Sequence, residues 1–151
     1  MTETSHSPSV PEVSFYVLGS HDQQQRLEFA CKLVEKIYRT GFFCYVLAES
    51  AEQAGQIDKA LWTFRAGSFV PHQIYQGLLP QYPGTILIGD SDIPEAWRGV
   101  IVNLSSTFPP AEPPTERILE ILDNSEQSKQ AGRQRYRHYQ QLGLSINTHK
   151  M

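Results

Sequence analysis

The stretch VSFYVLGSHDQQQRLEFACKLVEKIYRTGFFCYVLAES, residues 13–50, decides the fold class. Val13–Leu18 is a short β-branched and aromatic run stopped by Gly19-Ser20, which suits a buried strand ending in a loop. From Asp22 to Arg39 the apolar residues change period, recurring at Leu27, Ala30, Cys31, Val34, Ile37 and Tyr38 as on one face of a helix. Thr40-Gly41 ends that helix, and Phe42–Ala48 is again a continuous apolar run. Strand, helix and strand in this order form a parallel βαβ unit whose helix covers the sheet.

Outward from this unit the pattern continues. Ser50, followed by Glu52 and Gln53, caps a second helix expected over Ala51–Trp62. Arg65–Pro83 is rich in Gly, Pro and Gln and reads mostly as loop, although Ser68–Pro71 is locally apolar. Thr85–Gly89 and Val100–Leu104 are two more strands, separated by a turn-rich segment carrying Pro94 and Trp97. After the proline-rich Ser105–Pro114, Thr115 and Glu116 are expected to open a helix through Arg117, Ile118, Leu119, Ile121 and Leu122. A break at Asp123–Ser125 precedes a last helix over Glu126–Leu142, closed by Gly143. The expectation is one α/β domain over 13–151 with a mainly parallel sheet flanked by helices, preceded by a disordered tail over 1–12 rich in Ser, Thr and Pro.

Bulk properties narrow the function. A net charge of -3 repels nucleic acid, so any hold on an anion needs a local cluster. Two cysteines, Cys31 and Cys44, lie in apolar patterns without ligand spacing and read as buried thiols in a reducing cytosol. No apolar stretch approaches the roughly 20 residues that span a bilayer. A βαβ unit invites a nucleotide after its first strand, but Gly19–Gln24 holds one glycine where a dinucleotide loop needs three, and no Gly-Lys-Ser/Thr follows. Asp22 would set a negative charge at the phosphate position, and reads better as the cap of the first helix. Asp90 and Asp92 read as turn residues beside Gly89 and Pro94, and the five histidines show no metal spacing. No catalytic constellation and no cofactor is expected.

Two segments look like binding surfaces. Trp62, Phe64, Phe69 and Val70 crowd into nine residues across a helix end and a loop. Singly each suits the core, but together they are hard to hide, so the segment reads either as core or as a partner interface. In the last helix Lys129, Arg133, Arg135 and Arg137 are uninterrupted by any acid. At about 100° per residue, Lys129, Arg133, Tyr136 and Arg137 share one face, while Arg135 turns toward Ala131, Tyr139 and Leu142. This face is either an ordinary solvated one with cations near the helix C-terminus, or an apolar slot rimmed by cations for a peptide ending in an aromatic residue and a free carboxylate.

The order and spacing of FYVL, DKALWTF with SFVPH, ILI, VIVNL, RILEILD and RQRYRHYQQLGLSINTHK resemble the DNA polymerase III chi subunit family from Ser14 to Lys150. The resemblance implies a Rossmann-like fold without nucleotide chemistry, in a cytoplasmic, non-catalytic accessory subunit of the bacterial replisome. It implies a heterodimer with the psi subunit of the clamp-loader complex, through Trp62, Phe69, Val70, Pro71 and His72. On another face it implies capture of the acidic C-terminal tail of single-stranded-DNA-binding protein by Leu122, Lys129, Arg133, Tyr136 and Arg137. Contact with nucleic acid would then be indirect. Loop 75–84 and turn 90–98 follow no pattern of the family, and Arg137 stands where some relatives have lysine. The rivals are a nucleotide-dependent α/β enzyme and a direct binder of single-stranded nucleic acid using the basic face.

Overall fold

The computed structural model describes residues 11–151, so residues 1–10 of the expected tail lie outside it. The elements in chain order are β1 Glu12–Val17, α1 Gln23–Arg39, β2 Tyr45–Leu47, α2 Ala51–Thr63, β3 His72–Ile74, β4 Ile86–Gly89, β5 Val100–Asn103, β6 Arg117–Leu122, α3 Glu126–Gln141 and β7 Ser145–Lys150. A single 3-10 turn, Glu95–Trp97, lies between β4 and β5. The seven strands form one sheet in the order β3-β4-β2-β5-β6-β1-β7, and every neighbouring pair is parallel. No helix among the described residues is long and apolar enough to cross a membrane.

Local chemistry starts the helices where the sequence places them. Asp22 accepts from the Gln24 amide at the start of α1, Ser50 from Gln53 at α2, and Ser125 from Ser128 at α3. Helices α1 and α2 bury Ala30, Cys31, Val34, Ala54, Ile57 and Leu61 on one face of the sheet, against residues such as Val46, Ile88, Val102 and Leu119. The other face is divided. Ile93 and Trp97 cover Tyr45, Leu87 and Ile101, and the Trp97 indole N–H donates to Thr85 O at 2.7 Å. Helix α3 covers the remaining half, packing Tyr139 on Val13, Phe15, Ile118 and Leu122. Cys31 and Cys44 are buried, unpaired thiols, both pushed up to about 12 by burial.

Three elements depart from the sequence expectation. Residues 117–122 form β6, not a helix: Ile118, Ile121 and Leu122 match helical spacing, but a strand covered on both faces also shows a continuous apolar run. Six residues between a proline stretch and Asp123 are also too few for a helix with its own buried stripe. Residues 72–74, expected as loop, add the edge strand β3 beside β4. The polar segment 145–150 adds β7 beside β1, an edge strand mostly exposed to water and so without an apolar run.

Candidate peptide cleft and aromatic surface

Strand β6 holds an acid in its middle. Glu120 is fully buried, and its carboxylate accepts from Arg135 Nε at 3.0 and 3.1 Å, from Tyr139 Oη at 2.6 Å and from Asn103 Nδ2 at 3.1 Å, with Arg135 Nη2 in ion-pair contact at 3.0 Å. Arg135 is only 2% exposed. Burial, with the Glu120 charge and hydrogen bond added, pushes the Tyr139 hydroxyl well above the usual phenol range, so it stays a donor. This network fixes the rotation of α3: Arg135 and Tyr139 face the sheet, which turns Lys129, Arg133 and Tyr136 to the side. Sequence reading placed Arg135 off the basic face but missed its partner, because Glu120 was assigned to a helix.

Between the side of α3 and strands β1, β6 and β7 lies a cleft of about 190 Å³, lined by Phe15, Leu122, Lys129, Arg133, Tyr136 and their neighbours Gly132 and Thr148. The Phe15 and Tyr136 rings pack at 5.4 Å between centroids and build its apolar wall. Half-buried Lys129 sits 3.5 Å from the exposed Glu126, a weak solvent-facing pair that leaves its charge at the cleft rim. Among the described residues Arg133 has no ion-pair partner. Four of the five residues proposed for a peptide tail therefore converge here. Arg137 is exposed but does not line the cleft.

The aromatic segment divides. Trp62 is 63% and Phe69 83% exposed, whereas Val70 belongs to the core and Phe64 is half-buried against it. The loop is pinned on both sides of Phe69. Ser68 donates to the buried Glu35 at 2.7 Å, and Val70 packs inward, so the residue between them must point out. That Ser68 hydrogen bond, helped by Arg65 and Arg39, holds the Glu35 carboxyl below the usual range. His72 ties α2 to β3: its ring nitrogens sit 2.7 Å from Val70 O and 3.0 Å from Asp58 O, and its ring lies 4.6 Å from that of Trp62. Pro71 is half-buried beside it. Sequence reading missed Leu78, Leu79 and Tyr82, all exposed in the loop between β3 and β4; paired leucines in a Gly/Pro-rich loop were the available signal.

At the carboxyl ends of β5 and β6, where doubly wound sheets bind nucleotides, a crevice of about 550 Å³ is present. Its polar groups are engaged with one another. Arg26 donates to Ile121 O and Leu104 O, Asp123 accepts from Gln23 and the Ser125 amide, and Glu49 accepts from the Ser106 amide and hydroxyl. Glu49 and Asp123 line it and set carboxylates where a phosphate would need donors, and Asp22 already engages the Gln24 amide at the start of α1. Asp90 and Asp92 are exposed turn residues. No group of three or more potential metal ligands occurs among the described residues.

A family profile described as DNA polymerase III chi subunit, HolC, matches residues 10–147. The chain is 30% identical over 139 residues to the DNA polymerase III subunit chi of Pseudomonas aeruginosa, covering 92% of this chain and 96% of that protein. It is 29% identical over 137 residues to the subunit chi of Haemophilus influenzae, covering 89% and 93%. To that of Escherichia coli it is 25% identical over 147 residues, covering 89% and 95%.

Proposed function

The chain belongs to the DNA polymerase III chi subunit family, and from that premise we propose that this replication accessory subunit is a non-catalytic adaptor with two separate docking surfaces. The cleft beside α3 takes the acidic C-terminal tail of single-stranded-DNA-binding protein. The surface around Trp62 and Phe69 takes the psi subunit, with Val70, Pro71 and His72 as its support.

The observation that carries the reading is the composition of the cleft, an apolar slot of Phe15, Leu122 and Tyr136 with Arg133 and Lys129 at its rim. A terminal aromatic ring enters the slot, and its carboxylate pairs with Arg133 through charge-assisted hydrogen bonds. Lys129 and the outlying Arg137 attract acidic residues upstream, a screened contribution that guides the tail more than it anchors it. Each contact is modest, but a DNA-coating protein presents many tails, and effective concentration makes weak contacts sufficient. Arg135, buried and paired with Glu120, adds no charge to the basic face that a direct nucleic-acid binder would use.

Crossed substitutions test both surfaces. Arg133→Ala should weaken an acidic tail peptide ending in phenylalanine by about 2 kcal/mol, roughly thirtyfold, and leave co-purification with psi intact. Phe69→Asp should do the reverse. Unchanged peptide affinity in Arg133→Ala, or a stable psi complex with Phe69→Asp, would remove the corresponding surface.

A further inference from the structure

Gly132 lies inside α3 against Leu122 of β6. A Cβ placed on it would stand 2.5 Å from Leu122 Cδ1, 3.2 Å from Cδ2 and 3.4 Å from Cγ. The first distance is far inside carbon–carbon contact. The backbone does not require glycine here, since Gly132 is not among the residues with positive φ. Glycine also weakens a helix interior by about 1 kcal/mol relative to alanine. What the missing side chain provides is room for Leu122.

Leu122 has one direction in which to yield. It belongs to the cluster of Val13, Phe15, Ile118 and Tyr139 and is itself buried, and the open space beside it is the cleft that it and Gly132 both line. A methyl group at position 132 would either swing Leu122 into that space or lift α3, displacing Arg133 and Tyr136. Either movement changes the slot while leaving its charges in place.

We infer that Gly132 is a specificity-determining residue of the cleft: lacking a Cβ, it lets Leu122 lie back under α3 and so keeps the slot deep enough for an aromatic ring. The inference rests on the reading of the cleft as the tail site and names what sets its selectivity. Gly132 and Leu122 act as one volume, so an added methyl on one is offset by a methyl removed from the other.

Calorimetric titration with two acidic peptides, identical except for a terminal phenylalanine or valine, tests this on the wild type, Gly132→Ala, Leu122→Val, the double variant and Arg133→Ala. Gly132→Ala should weaken the phenylalanine peptide about tenfold and reduce its preference over the valine peptide. Adding Leu122→Val should return affinity to within about threefold of wild type. Leu122→Phe with Gly132 intact fills the slot from the other wall and should reproduce the loss. Wild-type affinity in Gly132→Ala, equal losses on both peptides, or a double variant no better than the single would overturn the inference. If Arg133→Ala also binds as wild type, the tail reading itself fails; if Arg133→Ala loses binding and Gly132→Ala does not, only the role of Gly132 fails.

Discussion

Replacing Glu120 by Gln tests how α3 is held. The substitution nearly preserves shape, and an amide can still meet Tyr139 and Asn103, but it removes the charge opposite Arg135. That guanidinium is 2% exposed, and apart from Glu120 its hydrogen-bond partner among the described residues is Ala131 O, 3.5 Å from Nη1. A buried ion left without its partner costs about 3–5 kcal/mol. Against a typical total of about 5–15 kcal/mol this is a large fraction, and for a chain of this size it lowers the melting temperature by roughly 10 °C. Urea unfolding followed by tryptophan fluorescence reads the loss as a shift in midpoint at constant slope. Glu120→Gln/Arg135→Met should recover part of it, because the stranded charge is gone. A loss below about 1 kcal/mol in the single variant would refute the argument, since it would mean that water or another acid reaches Arg135.

Two further outcomes follow from the charges. Raising salt from about 0.05 to 0.5 M should weaken the tail peptide severalfold and change psi association little, because only the cleft works through exposed charge; equal sensitivity of the two would contradict the division of surfaces. Glu35, with its carboxyl held below the usual range by Ser68 and then by Arg65 and Arg39, stabilises the fold above the unfolded carboxyl value of about 4.3, and that stabilisation disappears as pH falls through the lower folded value. Melting curves should therefore show the gap between wild type and Glu35→Gln closing as pH falls below the unfolded value of about 4.3, whereas parallel profiles would show that Glu35 is not coupled to folding.

The βαβ unit at 13–50 was legible because its hydrophobic period changes twice and each helix carries its own cap, Asp22 or Ser50. Strand β6 was not, since Ile118, Ile121 and Leu122 satisfy both templates and only the partners on β1 and β5 decide between them. That one ambiguity also hid the Glu120–Arg135 pair, whose members lie 15 residues apart and meet only when β6 is a strand. β7 escaped notice because its stability comes from backbone pairing with β1 at the sheet edge, to which polar side chains are indifferent. The cleft was half legible: helical geometry gathered Lys129, Arg133 and Tyr136, but Phe15 and Thr148 come from distant parts of the chain with no shared pattern, and Gly132, on the same helical stripe, has no side chain to mark it. Trp62 and Phe69 stood out in composition, while the inward turn of Val70 depends on the anchoring of Ser68 by Glu35.

The strand order has a mechanical consequence. The Trp62 surface stacks on β3 and the α3 cleft reaches β7, the two ends of the sheet, six strand-to-strand steps or about 29 Å apart. If both surfaces are gripped while a replisome moves, the pull runs across the strands and stretches the ladders in series. A chain of links fails at its shortest, and β3–β4, β4–β2 and β2–β5 each meet over three residues while β1 meets β6 and β7 over six each. Under tension the molecule would then part first in the half of the sheet from β3 to β5, on the Trp62 side, with the sheet around β1, β6 and β7 still intact.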